Sequence, residues 1–366
     1  MDVSPTGDSP APAQIHPSVS GRPFRFQICC LFCVFLTFGV APDTYSQSAD
    51  TSDLSVQSVG LTVEALDRAV PFYRDVLRFT PIDTVETARP SVGRLLGVFG
   101  TRVRVVTMRL GKEHIELVEF QSQPGRPIPP DARSNDLWFQ HVAIVVSDIE
   151  AAFRRLLRHD AALISPRPQT LPASIPAAAG ISALYFRDPT GNPLEIIHYP
   201  PDKGQPRWQR ETDSLFLGID HTALAVVDTE RSLAFYQNEL GFTVAGESVN
   251  VGSEQERLTG VFGARVRITG LRPPGGGIGV ELLEYKAPST GRPLPPDTRA
   301  GDLWHAHIRM QMSPLNPLIQ RLLEGGSPFV SPGVVPLPGA PFGYDAAAMM
   351  RDPSGHALLL TSPTTP

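Results

Sequence analysis

Beyond residue 33 the sequence has no cysteine, so the folded part cannot rely on a disulfide framework, a zinc knuckle or a thiol nucleophile. The three cysteines, Cys29, Cys30 and Cys33, all fall inside one apolar run. Positive charge is not in excess: 32 Lys plus Arg stand against 37 Asp plus Glu, with no basic stripe. That removes the electrostatic footprint of a nucleic-acid binder and excludes DNA or RNA as partner. A span-length apolar segment is also missing, since the run from Ile28 to Val40 has 13 residues where a bilayer asks for about 20. What remains is 366 residues, 41% hydrophobic and 19% charged, punctuated by 38 Pro and 31 Gly. This composition belongs to a soluble, loop-rich globular protein with room for two domains.

The apolar run follows Arg22 and Arg25 and precedes the small-residue stretch Ser46-Gln47-Ser48-Ala49. Residues 1–50 are therefore expected to be a signal peptide for export to the periplasm or the extracellular space, with residues 1–20 either a disordered lead or upstream of the true start. An uncleaved membrane anchor is the competing reading. Without residues 1–50 the chain keeps 30 basic and 33 acidic residues, and a net charge near neutral names no partner.

Self-comparison is the most informative operation on this sequence. Ser58 to Phe79 (SVGLTVEALDRAVPFYRDVLRF) lies on His221 to Phe242 (HTALAVVDTERSLAFYQNELGF) without a gap. LLGVFGTRVR at 95–104 lies on LTGVFGARVR at 258–267, GRPIPPDARSNDLW at 125–138 on GRPLPPDTRAGDLW at 291–304, and RDPTG at 187–191 on RDPSG at 351–355. The period of about 164 residues is domain-sized rather than solenoid-sized. A weaker repeat places His141-x-Ala143-x-x-Val146-x-Asp148-x-Glu150 on His221-x-Ala223-x-x-Val226-x-Asp228-x-Glu230, so each domain reads as two related modules.

Each module is predicted to run β-α-β-β-β. It opens on an alternating apolar strand, then a helix, with Ser147 and Glu150 as a capping box and Ser313-Pro314 as a cap with Pro at the first helical position. Gly241 and Gly325 mark helix stops. The last two strands are joined by tight turns at Asp188-Pro-Thr-Gly191 and Asp352-Pro-Ser-Gly355. Runs at 121–136, 200–218 and 286–302 read as linkers. The expected fold is α+β: two tandem domains at 56–200 and 219–362, with a linker at 201–218.

The four modules, the helices ending FYRDVLRF and FYQNELGF, the strands HIELVEF and VELLEY, and the RDPTGNPLEI ending resemble the vicinal oxygen chelate superfamily of glyoxalase I, extradiol dioxygenases and bleomycin resistance proteins. The resemblance covers about residues 56–362. It implies curved sheets formed by paired modules, each sheet a cup able to hold a divalent metal through His, Gln or Glu on first and last strands. Carried over by position, the first-strand sites are Ser58, His141, His221 and His307, and the last-strand sites are Glu116, Glu195, Glu281 and Leu359. Ser58 and Leu359 depart from useful ligand chemistry.

Pairing within repeats would leave Ser58/Glu116/His141/Glu195 and His221/Glu281/His307/Leu359, each short of one ligand. Exchanged pairing would gather His141, Glu195, His221 and Glu281 into one complete site, with Glu116 and His307 left as secondary candidates. The exchanged site is the expectation, because it alone assembles four competent ligands. The linker of about 18 residues can span up to roughly 60 Å, so reach does not forbid it. The test is a Glu195 carboxylate within about 5 Å of the His221 imidazole.

The period of two puts Glu116 and Glu281 on one strand face, with Glu119 and Glu284 on the other, solvated face. His114, His159, His198, His305 and His356 read as surface or turn residues. Arg102, Arg104, Arg265 and Arg267 read as a solvated strand face, and the Phe72-Tyr73 and Phe235-Tyr236 pairs as core.

By resemblance the function is that of a metal-dependent enzyme, a lyase, isomerase or oxygenase acting on a small oxygen-chelating substrate. Zn, Ni, Mn or Fe would be its cofactor and Glu195 or Glu281 its proton carrier. The alternative is a metal-poor protein that sequesters a small molecule, as resistance-type relatives do. The expected assembly is a monomer or homodimer, with no membrane span after processing.

Overall fold

The computed structural model describes residues 50–364. The expected leader and its cysteines lie outside the described residues. Module one supplies strands Ser55–Thr62, Thr80–Thr87, Val103–Leu110 and Glu113–Phe120, and module three supplies Phe216–Ala225, Thr243–Asn250, Arg265–Arg272 and Gly279–Ala287. Modules two and four open on Gln140–Val146 and Ala306–Gln311 and close on the pairs Ser182–Arg187/Pro193–His198 and Ala346–Arg351/Ala357–Thr361. Their expected second strands shrink to the dipeptides Ala162–Leu163, Gln169–Thr170 and Val335–Pro336. Prolines at 166, 168, 172, 328, 332 and 336 remove ladder donors there.

The sheets cross the repeat boundary. One sheet of eight strands joins modules one and four, and another of nine joins modules two and three. At the centre of each, two first strands run antiparallel, Ser55–Thr62 with Ala306–Gln311 and Phe216–Ala225 with Gln140–Val146. Each first strand pairs parallel with the last strand of its own module on its other side.

Alternation sorts the side chains. Val59, Leu61, Ile144, Val146, Leu224, Ile308 and Met310 point away from the cups and meet helix residues Tyr73, Leu156, Tyr236 and Leu318 in one core. Ala143, Val145, Ala223, Ala225 and Leu283 point into the cup of the second sheet. The two Phe-Tyr pairs are buried as expected, and each tyrosine also donates a hydrogen bond. Tyr73 Oη reaches Asp188 Oδ2 and Tyr236 Oη reaches Asp352 Oδ2, both at 3.1 Å. These bonds tie the helix of one module to the turn of the next within a repeat, while the sheets tie the repeats to each other.

Several local expectations shift. The helix Ile149–Arg158 is capped by Asp148, whose carboxylate accepts from Ala151 N–H, and Ser147 instead bonds the Ser214 carbonyl. The helix Leu315–Glu324 starts after Pro314, without a side-chain cap. His305 and His356 are buried rather than at the surface. His356 Nε2 donates to the Ala225 carbonyl at 2.8 Å, the same service that Asn192 performs for Thr62 at the matching position in the first repeat. No helix among the described residues is long and apolar enough to cross a membrane.

The GRP…DLW segments, expected as plain linkers, form a two-fold clasp. Arg126 pairs with Asp302 at 2.7 Å and lies over Trp304, and Arg292 pairs with Asp136 at 2.6 Å and lies over Trp138. Backbones cross closely beside each arginine: a Cβ at Gly125 would sit 1.8 Å from the Gly301 oxygen, and one at Gly291 would sit 1.7 Å from the Asn135 oxygen. Gly291→Ala is therefore expected to cost about 1–3 kcal/mol, as overpacking against backbone does. Urea midpoints read it against Gly246→Ala, where nothing lies within 4 Å of the added carbon. Equal midpoints for the two variants would contradict the clasp.

Candidate metal centre

Register builds the centre. His141 lies opposite Ala223, which pairs on its other side with Glu281, and His221 lies opposite Ala143, which pairs with Glu195. Two imidazoles and two carboxylates thus surround two alanines, whose methyl side chains leave the space between them open. Glu195 Oε2 is 3.0 Å from His141 Nε2 and 3.5 Å from His221 Nε2, within the separation expected for a shared site. His141, Glu195 and His221 are all buried and form the one compact group among the described residues able to hold a metal ion. Glu281 reaches His221 Nε2 at 3.3 Å but keeps 27% of its side chain exposed and stands outside that compact trio.

A residue missed in the sequence orients His221. Strict alternation would send Asp220 to the opposite face, but the pairing slips between Ile219 and His221, and such a bulge re-aims a side chain. Asp220 then accepts from His221 Nδ1 at 3.1 Å, from the Trp208 indole at 2.8 Å, from Gln205 at 2.9 Å and from Tyr199 at 3.2 Å. This orients the ring so that Nε2 faces the cup, where that atom is buried without a hydrogen bond. An orphaned ring nitrogen facing two carboxylates fits a divalent ion.

The electrostatics divide the acids. Burial alone would raise Glu195, but hydrogen bonds and charge from His141 and His221 overcome it and hold the carboxyl at about 2. Burial opposes charge on His221 too, yet Glu281, Asp220 and Glu195 push it well above its ordinary value. Glu281 is raised, by burial first and then by Glu195 and Asp220, against the pull of His221. The cup opens into a cavity of about 260 Å³ bordered by Tyr185, Tyr199, Arg272, Leu171 and Ile181.

The equivalent rows of the first sheet read differently. His307 lies opposite Gly60, which pairs with Glu116, and Ser58 lies opposite Arg309, which pairs with Leu359. Arg309 thus stands where the other cup has an alanine. Its Nε donates to Glu116 Oε1 at 2.7 Å and contacts Ser58 Oγ at 2.9 Å, while Ser58 also donates to Glu116 at 2.7 Å. His307 comes no closer to Glu116 than 3.9 Å. Glu116 and His307 do lie together, but a guanidinium already neutralises the carboxylate that a cation would need, so this pair does not fit a metal. Arg309 carried no signal in the sequence, because its role depends on which strand lies beside it.

Of the remaining expectations, Arg102 and Arg267 do sit in exposed or half-exposed ion pairs with Glu86 and with Glu230 and Glu247. Glu284 is less solvated than expected, accepting from Thr229 and pairing with Lys286.

A family profile described as the Glyoxalase/Bleomycin resistance protein/Dioxygenase superfamily matches residues 55–196 and again 218–360. No curated protein matches. Among solved structures, glyoxalase I from Zea mays is similar over 84% of this chain and 92% of its own, with a TM-score of 0.56 and 15% identity. A putative dioxygenase from Bacillus subtilis is similar over 85% of this chain and 86% of its own, with a TM-score of 0.51 and 15% identity. At such identity the likeness concerns the fold.

Proposed function

Because the chain belongs to the Glyoxalase/Bleomycin resistance protein/Dioxygenase superfamily, we propose that the cup of modules two and three is a divalent-metal centre acting on a small oxygen-chelating substrate, by proton transfer of the lyase or isomerase type. The observation that carries this reading is the gathering of His141, Glu195, His221 and Glu281 around Ala143 and Ala223. A divalent ion held there would stabilise negative charge developing on substrate oxygens.

The chain's own residues divide the remaining work. His141, Glu195 and His221 hold; Asp220 keeps His221 turned inward; Glu281, the more basic and more exposed carboxylate, takes a proton from the substrate and returns it. Tyr185, Leu171 and Ile181 line the cavity beside these groups. A cavity of about 260 Å³ suits a small substrate. Export through the leader is part of this proposal, and it disfavours a glutathione-dependent reaction, since such thiols are scarce outside the cytoplasm.

The experiment is metal analysis of the purified protein after loading with Zn, Ni, Mn and Fe. About one ion per chain is expected; less than about a tenth of an ion would favour the sequestering alternative instead. Loading should also release a proton. His221 is raised, so it carries its proton at neutral pH in the metal-free protein, and an ion must expel it. Affinity should therefore climb with pH, by about tenfold per unit below that pKa. Calorimetry in buffers of different ionisation enthalpy counts the proton. An affinity independent of pH between about 6 and 8 would contradict the His221 assignment.

A further inference from the structure

A cavity of about 730 Å³, sharing no lining residue with the cup, opens where the third-to-fourth-strand hairpin of module one, the helix Ile149–Arg158 and the segment 207–217 meet. Five cations line it, Arg78, Lys112, Arg155, Arg207 and Arg210, against the two carboxylates of Glu113 and Asp213. The balance is more uneven than this count. Glu113 is buried and spoken for, accepting from Arg207 and from the Ile219 backbone N–H at 3.2 Å. Arg155 spends its guanidinium on the main-chain carbonyls of Val76 and Asp75. Arg78, Lys112 and Arg210, from three separate segments, make no hydrogen bond or ion pair among the described residues.

We propose that this cavity is a second binding site, separate from the metal centre, that takes a small dianion bearing a phosphoryl or paired carboxylate group. Arg78 has one carboxylate nearby, Asp75, but that group is already paired to Arg74 at 2.8 Å; cations so poorly compensated repel one another, and a dianion relieves that repulsion while satisfying several charged donors at once. Arg155 is held below the usual guanidinium value by burial first and then by Arg78 and Arg158, against the pull of Asp75. Arg78 adopts φ 67°, a left-handed conformation uncommon outside glycine, at the end of its helix. Lys112 sits in the turn after Gly111, and Arg210 follows the short helix Pro206–Gln209. The wall between them is Trp208, covered by the Arg207 guanidinium at 3.8 Å and anchored through its indole N–H to Asp220. An anion drawing on Arg207 would therefore change the surroundings of Trp208.

The test is calorimetric titration of the purified protein with inorganic phosphate and, separately, with succinate at constant ionic strength, alongside tryptophan fluorescence. Saturable binding of at least one is expected, and the tighter of the two names the anion class. Lys112→Ala and Arg210→Ala, both at exposed positions, should each weaken it about tenfold, the value of one charged hydrogen bond. Arg94→Ala, which removes an exposed charge elsewhere, should leave it unchanged, and so should Glu195→Gln in the cup. Trp208→Phe should remove the fluorescence response and keep the heat signal. The proposal is overturned by absence of saturable binding, by unaltered binding in Lys112→Ala and Arg210→Ala, by equal weakening in Arg94→Ala, which would mean unspecific charge attraction, or by a change of either sign in Glu195→Gln, which would place the anion at the metal centre. None of these outcomes bears on whether the cup holds a metal.

Discussion

Glu195→Ala should lower the affinity for a divalent ion by at least about 100-fold, since even residues that only orient ligands are worth 10- to 100-fold. Glu195 is the hinge of the group: its Oε2 lies 3.0 Å from one imidazole and 3.5 Å from the other, so no other carboxylate can stand in for it. Removing it leaves His141 and His221 facing each other, with their rings 5.8 Å apart, and Glu281 as the remaining acid at the edge of the cup. Glu281→Gln should behave differently. Its carboxylate stands outside the compact trio and is the more basic of the two, so ion binding should fall less while turnover falls by about 10²–10⁴-fold, the usual worth of a placed general base. Metal competition titrations on both variants, with turnover of candidate chelating substrates by the loaded protein, separate the two roles. Undiminished metal binding in Glu195→Ala would remove the centre as described.

Arg309→Ala should destabilise the protein by about 3–5 kcal/mol, the cost of stripping one partner from a buried ion pair. Glu116 is buried, and its neighbours in that cup include Val105, Val118, Met349 and Leu359. Without the guanidinium, the carboxylate keeps only the Ser58 hydroxyl and, 3.9 Å away, the His307 imidazole. Glu116→Gln with Arg309→Met should recover much of the loss, because an uncharged pair leaves no stranded charge.

The pH dependence carries a sign. Burial would raise Glu116, but His307, Arg309 and Ser58 hold it at about 2. Its stabilisation is therefore complete above the ordinary carboxylate value and fades as pH falls toward 2. In Arg309→Ala the carboxyl should rise instead, so the deficit should be largest near pH 7 and shrink on acidification. Urea unfolding of both proteins at neutral and mildly acidic pH measures this. A deficit that does not change with pH would mean that Arg309 acts through packing rather than charge.

What the amino-acid order determined by itself is everything that local chemistry and repetition express. The tandem copies set the modules, alternation set which strand residues face a cup, and Asp188-Pro-Thr-Gly191 and its partner at Asp352 announced their turns through Asp oxygens that accept from the following N–H groups. The same alternation, a property of each strand alone, put Glu116 and Glu281 on the cup faces. The tertiary structure decided what depends on a strand's neighbour. Four first strands with the same alternation could pair in several ways, and their own sequences do not distinguish His141 beside Ala223 from His141 beside Gly60. Only the assembled sheets place alanines between the four candidate ligands in one cup and Arg309 in the other. The slip at Ile219 that turns Asp220 toward His221, and the clasp that swaps Arg126 and Arg292 between repeats, have the same origin: each is a contact between segments far apart in the chain, and such contacts follow from the packing of the whole rather than from the pattern of any one part.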